Sequence, residues 1–104
     1  MIVTTTPTME GHRVSRYCGI VAGEAVLGKY GLKEMFGGSA VVEGRERALQ
    51  NAREQAINKM LARAEAVGAN AVVGVDLDYE VLNERDGLLM VSASGTAVVI
   101  APIG

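Results

Sequence analysis

The sequence has no tryptophan, one phenylalanine (Phe36), one cysteine (Cys18), one histidine (His12) and two prolines in 104 residues. A lone cysteine excludes an intrachain disulfide framework. Aromatic residues make up only 4% of the chain, so its 49% of hydrophobic residues are mostly small and aliphatic. Its 14 alanines and 13 glycines each bury little area. A chain of this length makes one domain, here residues 1–104, and hides roughly two-thirds of its unfolded surface. The core is therefore thin, a composition suited to completion by neighbouring chains. With a net charge of −2 and a pI near 5.3, the chain lacks the basic excess expected of a nucleic-acid or anionic-membrane binder, so neither is an expected partner. There is no long apolar run either. The longest, residues 97–103, has seven residues and includes Pro102, against about twenty for a membrane-spanning helix. Residues 1–7 show no basic segment and no apolar segment of a secretion signal, which makes a cytoplasmic location the expectation, with Cys18 kept reduced there.

What is present divides by period. Residues 2–5 are β-branched and read as a short strand, and residues 13–23 as a second strand. A turn at Glu10-Gly11-His12 would join the two as a hairpin. Residues 27–44 hold five glycines and read as a long connection, with one helical turn at Lys33–Phe36, and as a place for chain-to-chain contacts. Residues 45–67 carry Leu49, Ala52, Ala56, Met60, Ala64 and Val67 on one helical arc, with Gly68 placed to end the helix. Ala48, Ala62 and Ala66 form a small-residue flank. After Gly68 the period becomes two. Ala71, Val73, Val75, Leu77, Tyr79 and Val81 would share one face, opposite Val72, Gly74, Asp76, Asp78 and Glu80. Asp86-Gly87 signals a turn into a return strand over 88–100. The expected fold class is α+β, with one long helix packed on an antiparallel sheet in the order β-β-α-β-β. One helix covers one sheet face, which leaves the other wet or covered by another subunit.

Two sets of side chains invite chemistry. Cys18 and His12 are soft and borderline metal ligands, but a structural zinc site wants four. One of each suffices only where several copies converge on a symmetry axis. Otherwise Cys18 is a core residue and His12 a turn residue. Asp76, Asp78 and Glu80 form an acidic row, and crowded carboxylates raise one another's pKa or recruit a hard cation. Otherwise the row is solvated or pairs with Arg13, Arg16 or Arg85. Arg53 falls within the apolar arc, where a guanidinium must reach solvent or an acid. Nucleophilic catalysis by Cys18 needs a positioned base and orienting group, which no motif supplies. The chain reads as a non-enzyme.

Several segments together resemble the YbjQ-like family. They are Ile2–Thr6, Gly19–Ala25, the block Gly68-Ala69-Asn70-Ala71-Val72-Val73-Gly74-Val75-Asp76, Asp86–Val91 and Ser94–Val98. The similarity spans nearly the whole chain. The resemblance implies a small β-α-β-β core, similar to dodecin-like folds, that assembles as a homopentameric ring. It also carries a heavy-metal-binding label, and so a metal ion as the implied ligand. Members usually have a longer glycine-rich insertion with an Arg and a Tyr before the long helix. Residues 37–45 here contain no Tyr. The functional expectation is a non-enzymatic oligomeric module that holds a metal or small ligand between subunits. The alternatives are a purely structural assembly domain and, last, an enzyme using Cys18.

Overall fold

The computed structural model describes residues 1–28, 41–83, 85 and 87–104. Its elements are β1 (Ile2–Val3), β2 (His12–Leu27), α1 (Val41–Ala66), β3 (Ala71–Asn83) and β4 (Leu88–Pro102), in the expected β-β-α-β-β order. The expected connection over 27–44 falls largely outside the described residues, as does the turn at Lys33–Phe36. Its last residues, 41–44, belong to α1 instead. Glu84 and Asp86 also lie outside the described residues.

The sheet order is β1-β3-β4-β2. The expected hairpin between the first two strands does not form, because they lie at opposite edges. β1 runs parallel to β3, pairing Ile2 with Ala71 and Val3 with Val72. The sheet is therefore mixed rather than wholly antiparallel. The expected turn does form at Glu10-Gly11, where His12 donates to the Met9 carbonyl, but residues 4–9 before it run along β3 rather than back along β2. The Thr4 and Thr6 carbonyls accept hydrogen bonds from Val75 and Gly74, and Met9 packs against Ala71, Val73 and Val98. The N-terminal segment thus covers part of the sheet face away from the helix.

A bulge at Gly74 explains the second departure. Gly74 has φ +62, and the β3–β4 register shifts between Val73 and Asp76. The extra residue resets the alternation. Val72 and Val75 therefore both face α1, while Ala71 and Val73 join the cluster on the opposite face. The single apolar face expected over 71–81 is split between the two sides. The main core is made of Val21, Ala25, Ala52, Ala56, Met60, Ala64, Val72, Val75, Val91, Ala93 and Ala97. Four of the six arc residues, Ala52 to Ala64, are buried as expected, while Leu49 is half-buried and Val67 is exposed. Of the flank residues, Ala48 is buried and Ala62 and Ala66 are exposed.

α1 packs chiefly on β2. The approach is close because Gly23 has no side chain: a Cβ there would overlap the backbone carbonyl of Ala56 and the amide of Met60. The helix ends where the sequence says it should. Gly68, at φ +81, donates to the Glu65 carbonyl, and Ala69 donates to the Ala64 carbonyl at 3.1 Å. This pair of bonds satisfies two carbonyls at the helix end, with glycine in the left-handed position.

The outcome is long and thin, 57 × 23 × 19 Å. The radius of gyration is 16.6 Å, where a compact chain of this length has about 13 Å. The accessible surface is 6729 Å², against about 5,600 Å² for a compact monomer of this mass.

Candidate functional site

His12 opens β2 opposite Pro102, and its Nδ1 donates to the Glu10 carbonyl at 3.0 Å. That bond leaves Nε2 as the nitrogen available to a ligand. Cys18 is a free, half-buried thiol that packs against the core under α1. Val14, between them, belongs to the cluster on the opposite face. Six residues of extended strand separate His12 from Cys18 by roughly 20 Å. The structure does not bring these two together within one chain.

The acidic row is a real row. Asp76, Asp78 and Glu80 lie opposite Ser94, Ser92 and Met90 of β4, and these in turn lie opposite Ala22, Glu24 and Val26 of β2. The face away from the helix therefore carries carboxylates on β3, hydroxyls on β4 and one further carboxylate on β2. The hydrogen bond between Asp78 and Asp76 raises the Asp78 pKa above its ordinary 3.8, helped by the Asp76 charge, partial loss of water and the Glu80 charge. The row repels itself, as its spacing predicts. Glu24 leans away from it toward the helix, with Oε1 3.4 Å from Arg63 Nη2.

Among the described residues, no three His, Cys, Asp or Glu side chains come close enough to hold a metal ion. The described donors of one chain therefore do not fit a heavy-metal site. Cys18 is separated from His12, and the carboxylates are hard ligands that suit other cations. Among the described residues, two concavities are lined by none of Cys18, His12, Asp76, Asp78 and Glu80. One is a shallow open groove along Thr4, Thr6, Thr8 and Glu10. The other is a crevice of about 140 Å³ where Val26 meets Asn51 and Gln55.

Arg53, expected to reach solvent or an acid, meets a phenol: its Nη1 donates to Tyr79 Oη at 3.3 Å. Sequence reasoning missed a second use of the helix. Lys59 Nζ donates to the Glu24 carbonyl at 2.8 Å, and Arg63 Nη1 donates to the Ala22 carbonyl. Two basic residues four apart thus reach round the sheet edge and occupy carbonyls that β2 leaves unpaired. Blocking an edge in this way discourages indiscriminate strand addition. The i, i+4 spacing of Lys59 and Arg63 was the signal, but only the strand order shows what they face.

Comparison with known proteins agrees over the full length. The chain is 53% identical to a protein of Bifidobacterium longum strain DJO10A named "UPF0145 protein", an alignment covering 97% of this chain and 96% of that one. It is 52% identical, with the same coverage, to a UPF0145 protein of Bifidobacterium longum subsp. infantis. A crystal structure from Pediococcus pentosaceus, of a protein with unknown function in the DUF74 family, shares the fold. Its TM-score is 0.69 at 17% identity, over 97% of this chain and 98% of that one. The family whose description reads "Putative heavy-metal-binding" matches residues 1–101, and the chain belongs to this YbjQ-like family.

Proposed function

We propose that the chain is a non-enzymatic module that works as a closed homo-oligomer, a pentameric ring, with its ligand positions between subunits. The observation that carries this reading is the surface. A 10.9 kDa chain exposing 6729 Å² leaves about one-fifth more area wet than a compact monomer of its mass. Its exposed large apolar residues include Tyr17, Ile20, Val26 and Val81. Association would remove this surface from water at about 25 cal/mol per Å² of apolar area. Cyclic symmetry repeats one site at every junction, so a single donor per chain can do what a motif does in a monomer.

A second reading, an assembly domain without a ligand, is favoured by the separation of Cys18 from His12. Sedimentation velocity at micromolar concentration tests the assembly, and a 10.9 kDa species would overturn it. Titration of metal-free protein with zinc and with calcium, in wild type, Cys18→Ser and Asp78→Asn, tests the ligand. Zinc binding lost only in Cys18→Ser supports soft-metal ligation. Calcium binding lost only in Asp78→Asn assigns the carboxylates. Absence of binding tighter than micromolar in both titrations favours the pure assembly domain. Ordinary alkylation kinetics at Cys18 would remove the nucleophile from the remaining reading, an enzyme.

A further inference from the structure

The backbone hydrogen bonds fix which strand groups are left over. The Val98 carbonyl accepts from Asn70, and the Val99 carbonyl accepts from Ser15 Oγ. Even-numbered β4 residues therefore turn their backbone toward β3 and odd-numbered ones toward β2. By register, Leu77, Tyr79 and Val81 direct N–H and C=O away from β4, as do Ile20, Ala22, Glu24 and Val26. β1 pairs with β3 only at Ala71 and Val72, so among the described residues no strand covers β3 beyond the bulge. Among the described residues the sheet thus has two open edges on opposite sides.

These edges differ in protection and in charge. On β2, Lys59 and Arg63 occupy the carbonyls of Glu24 and Ala22, which confines strand addition to the stretch before Ala22. That stretch exposes Tyr17 (73%) and Ile20 (86%) and carries Arg13 and Arg16. On β3 no basic side chain caps the edge among the described residues. It exposes Val81 (59%) and Leu82 (48%) and carries Asp76, Asp78 and Glu80. Pairing β3 with β3 of another copy would oppose like charges, which is destabilising across strands. Pairing β3 with the Tyr17–Ile20 stretch of β2 avoids that opposition, because the stretch holds no carboxylate to set against the row.

We infer that the outer edge of β3 over residues 77–81 is the site to which a second copy of this chain adds, head to tail, through the Tyr17–Ile20 stretch of its β2. The inference rests on the homo-oligomer reading above and deepens it by naming the seam. A contact between two different surfaces repeats from copy to copy and closes into a ring when the rotation allows.

Two variants isolate the two sides. Val81→Pro removes an N–H that takes no part in the sheet of its own chain, so the fold tolerates it while a partner strand loses its donor. Ile20→Lys puts a charge on the other side of the seam. Each variant alone should sediment at 10.9 kDa with wild-type circular dichroism. Mixed together, they should form a one-to-one dimer, because the intact β2 edge of the first meets the intact β3 edge of the second. Should Val81→Pro fail to fold, Val81→Lys takes its place. Folded variants that keep the wild-type oligomer overturn the seam and leave the assembly reading standing. Monomeric variants that do not pair on mixing overturn the head-to-tail geometry. A monomeric wild type overturns the assembly reading itself, and the seam with it.

Discussion

Asp78 shows how one residue registers its neighbours. Its hydrogen bond to Asp76, the Asp76 charge, partial desolvation and the Glu80 charge hold its pKa above 3.8. The folded chain therefore binds that proton more tightly than the unfolded chain. The resulting stabilisation is complete below the unfolded pKa and is lost as pH rises through the folded one. At neutral pH the ionised Asp78 is a source of repulsion. Asp78→Asn removes that charge and keeps a donor for Asp76, so its thermal midpoint should exceed the wild type at pH 7. The gap should close as the pH falls toward 3.8. Melting curves across that range check it, and a gap independent of pH would show that the row does not repel. The carboxylates and their alternation were legible in the sequence. That Glu24 turns from the row to Arg63 was not, because it depends on where a helix 39 residues further along the chain comes to rest.

At the scale of elements, the helix read true, while the pairing of β1 and the alternation of β3 did not. The helix was visible because Ala52, Ala56, Met60 and Ala64 repeat on one arc, and its end because Gly68 supplies the left-handed residue. The partner of β1 was invisible because a two-residue strand has no pattern of its own, and its pairing is settled by Ala71 and Val72 nearly seventy residues away. The bulge at Gly74 was hidden for a related reason: a glycine in an alternating run looks like one more residue of the run. Gly23 is the sharper case. It reads as a gap in a strand, yet it is the point where α1 touches the sheet. Gly23→Ala drives a methyl into helix backbone at Ala56 and Met60, neither of which is a side chain that can swing aside. Overpacking of this kind costs about 1–3 kcal/mol. Urea unfolding should show that loss with an unchanged slope, and a wild-type midpoint would mean that α1 rides higher on β2 than the structure places it.

For the whole molecule, the decisive feature is how little of the chain is hidden from water. Among the described residues the fully buried side chains are, apart from Met60, alanines and valines, so the core of one subunit is shallow. The rest of the apolar surface sits on a body 57 Å long, along strands that α1 covers unequally. If copies bury that surface against one another, folding and assembly are linked, and mass action makes stability depend on concentration. For a pentamer unfolding to separate chains, each tenfold rise in concentration stabilises a chain by about 1.1 kcal/mol, four-fifths of the tenfold unit of 1.4. For a domain of this size that raises the melting temperature by roughly 4–8 °C. Calorimetry at three concentrations spanning a hundredfold should show the midpoint climbing at each step. Val81→Pro, which breaks the seam without touching its own ladder, should melt at one temperature throughout, below the wild type. A wild-type midpoint that stays fixed over the range would mean that each chain holds its fold alone, and that the exposed edges of β2 and β3 serve something other than a copy of the same chain.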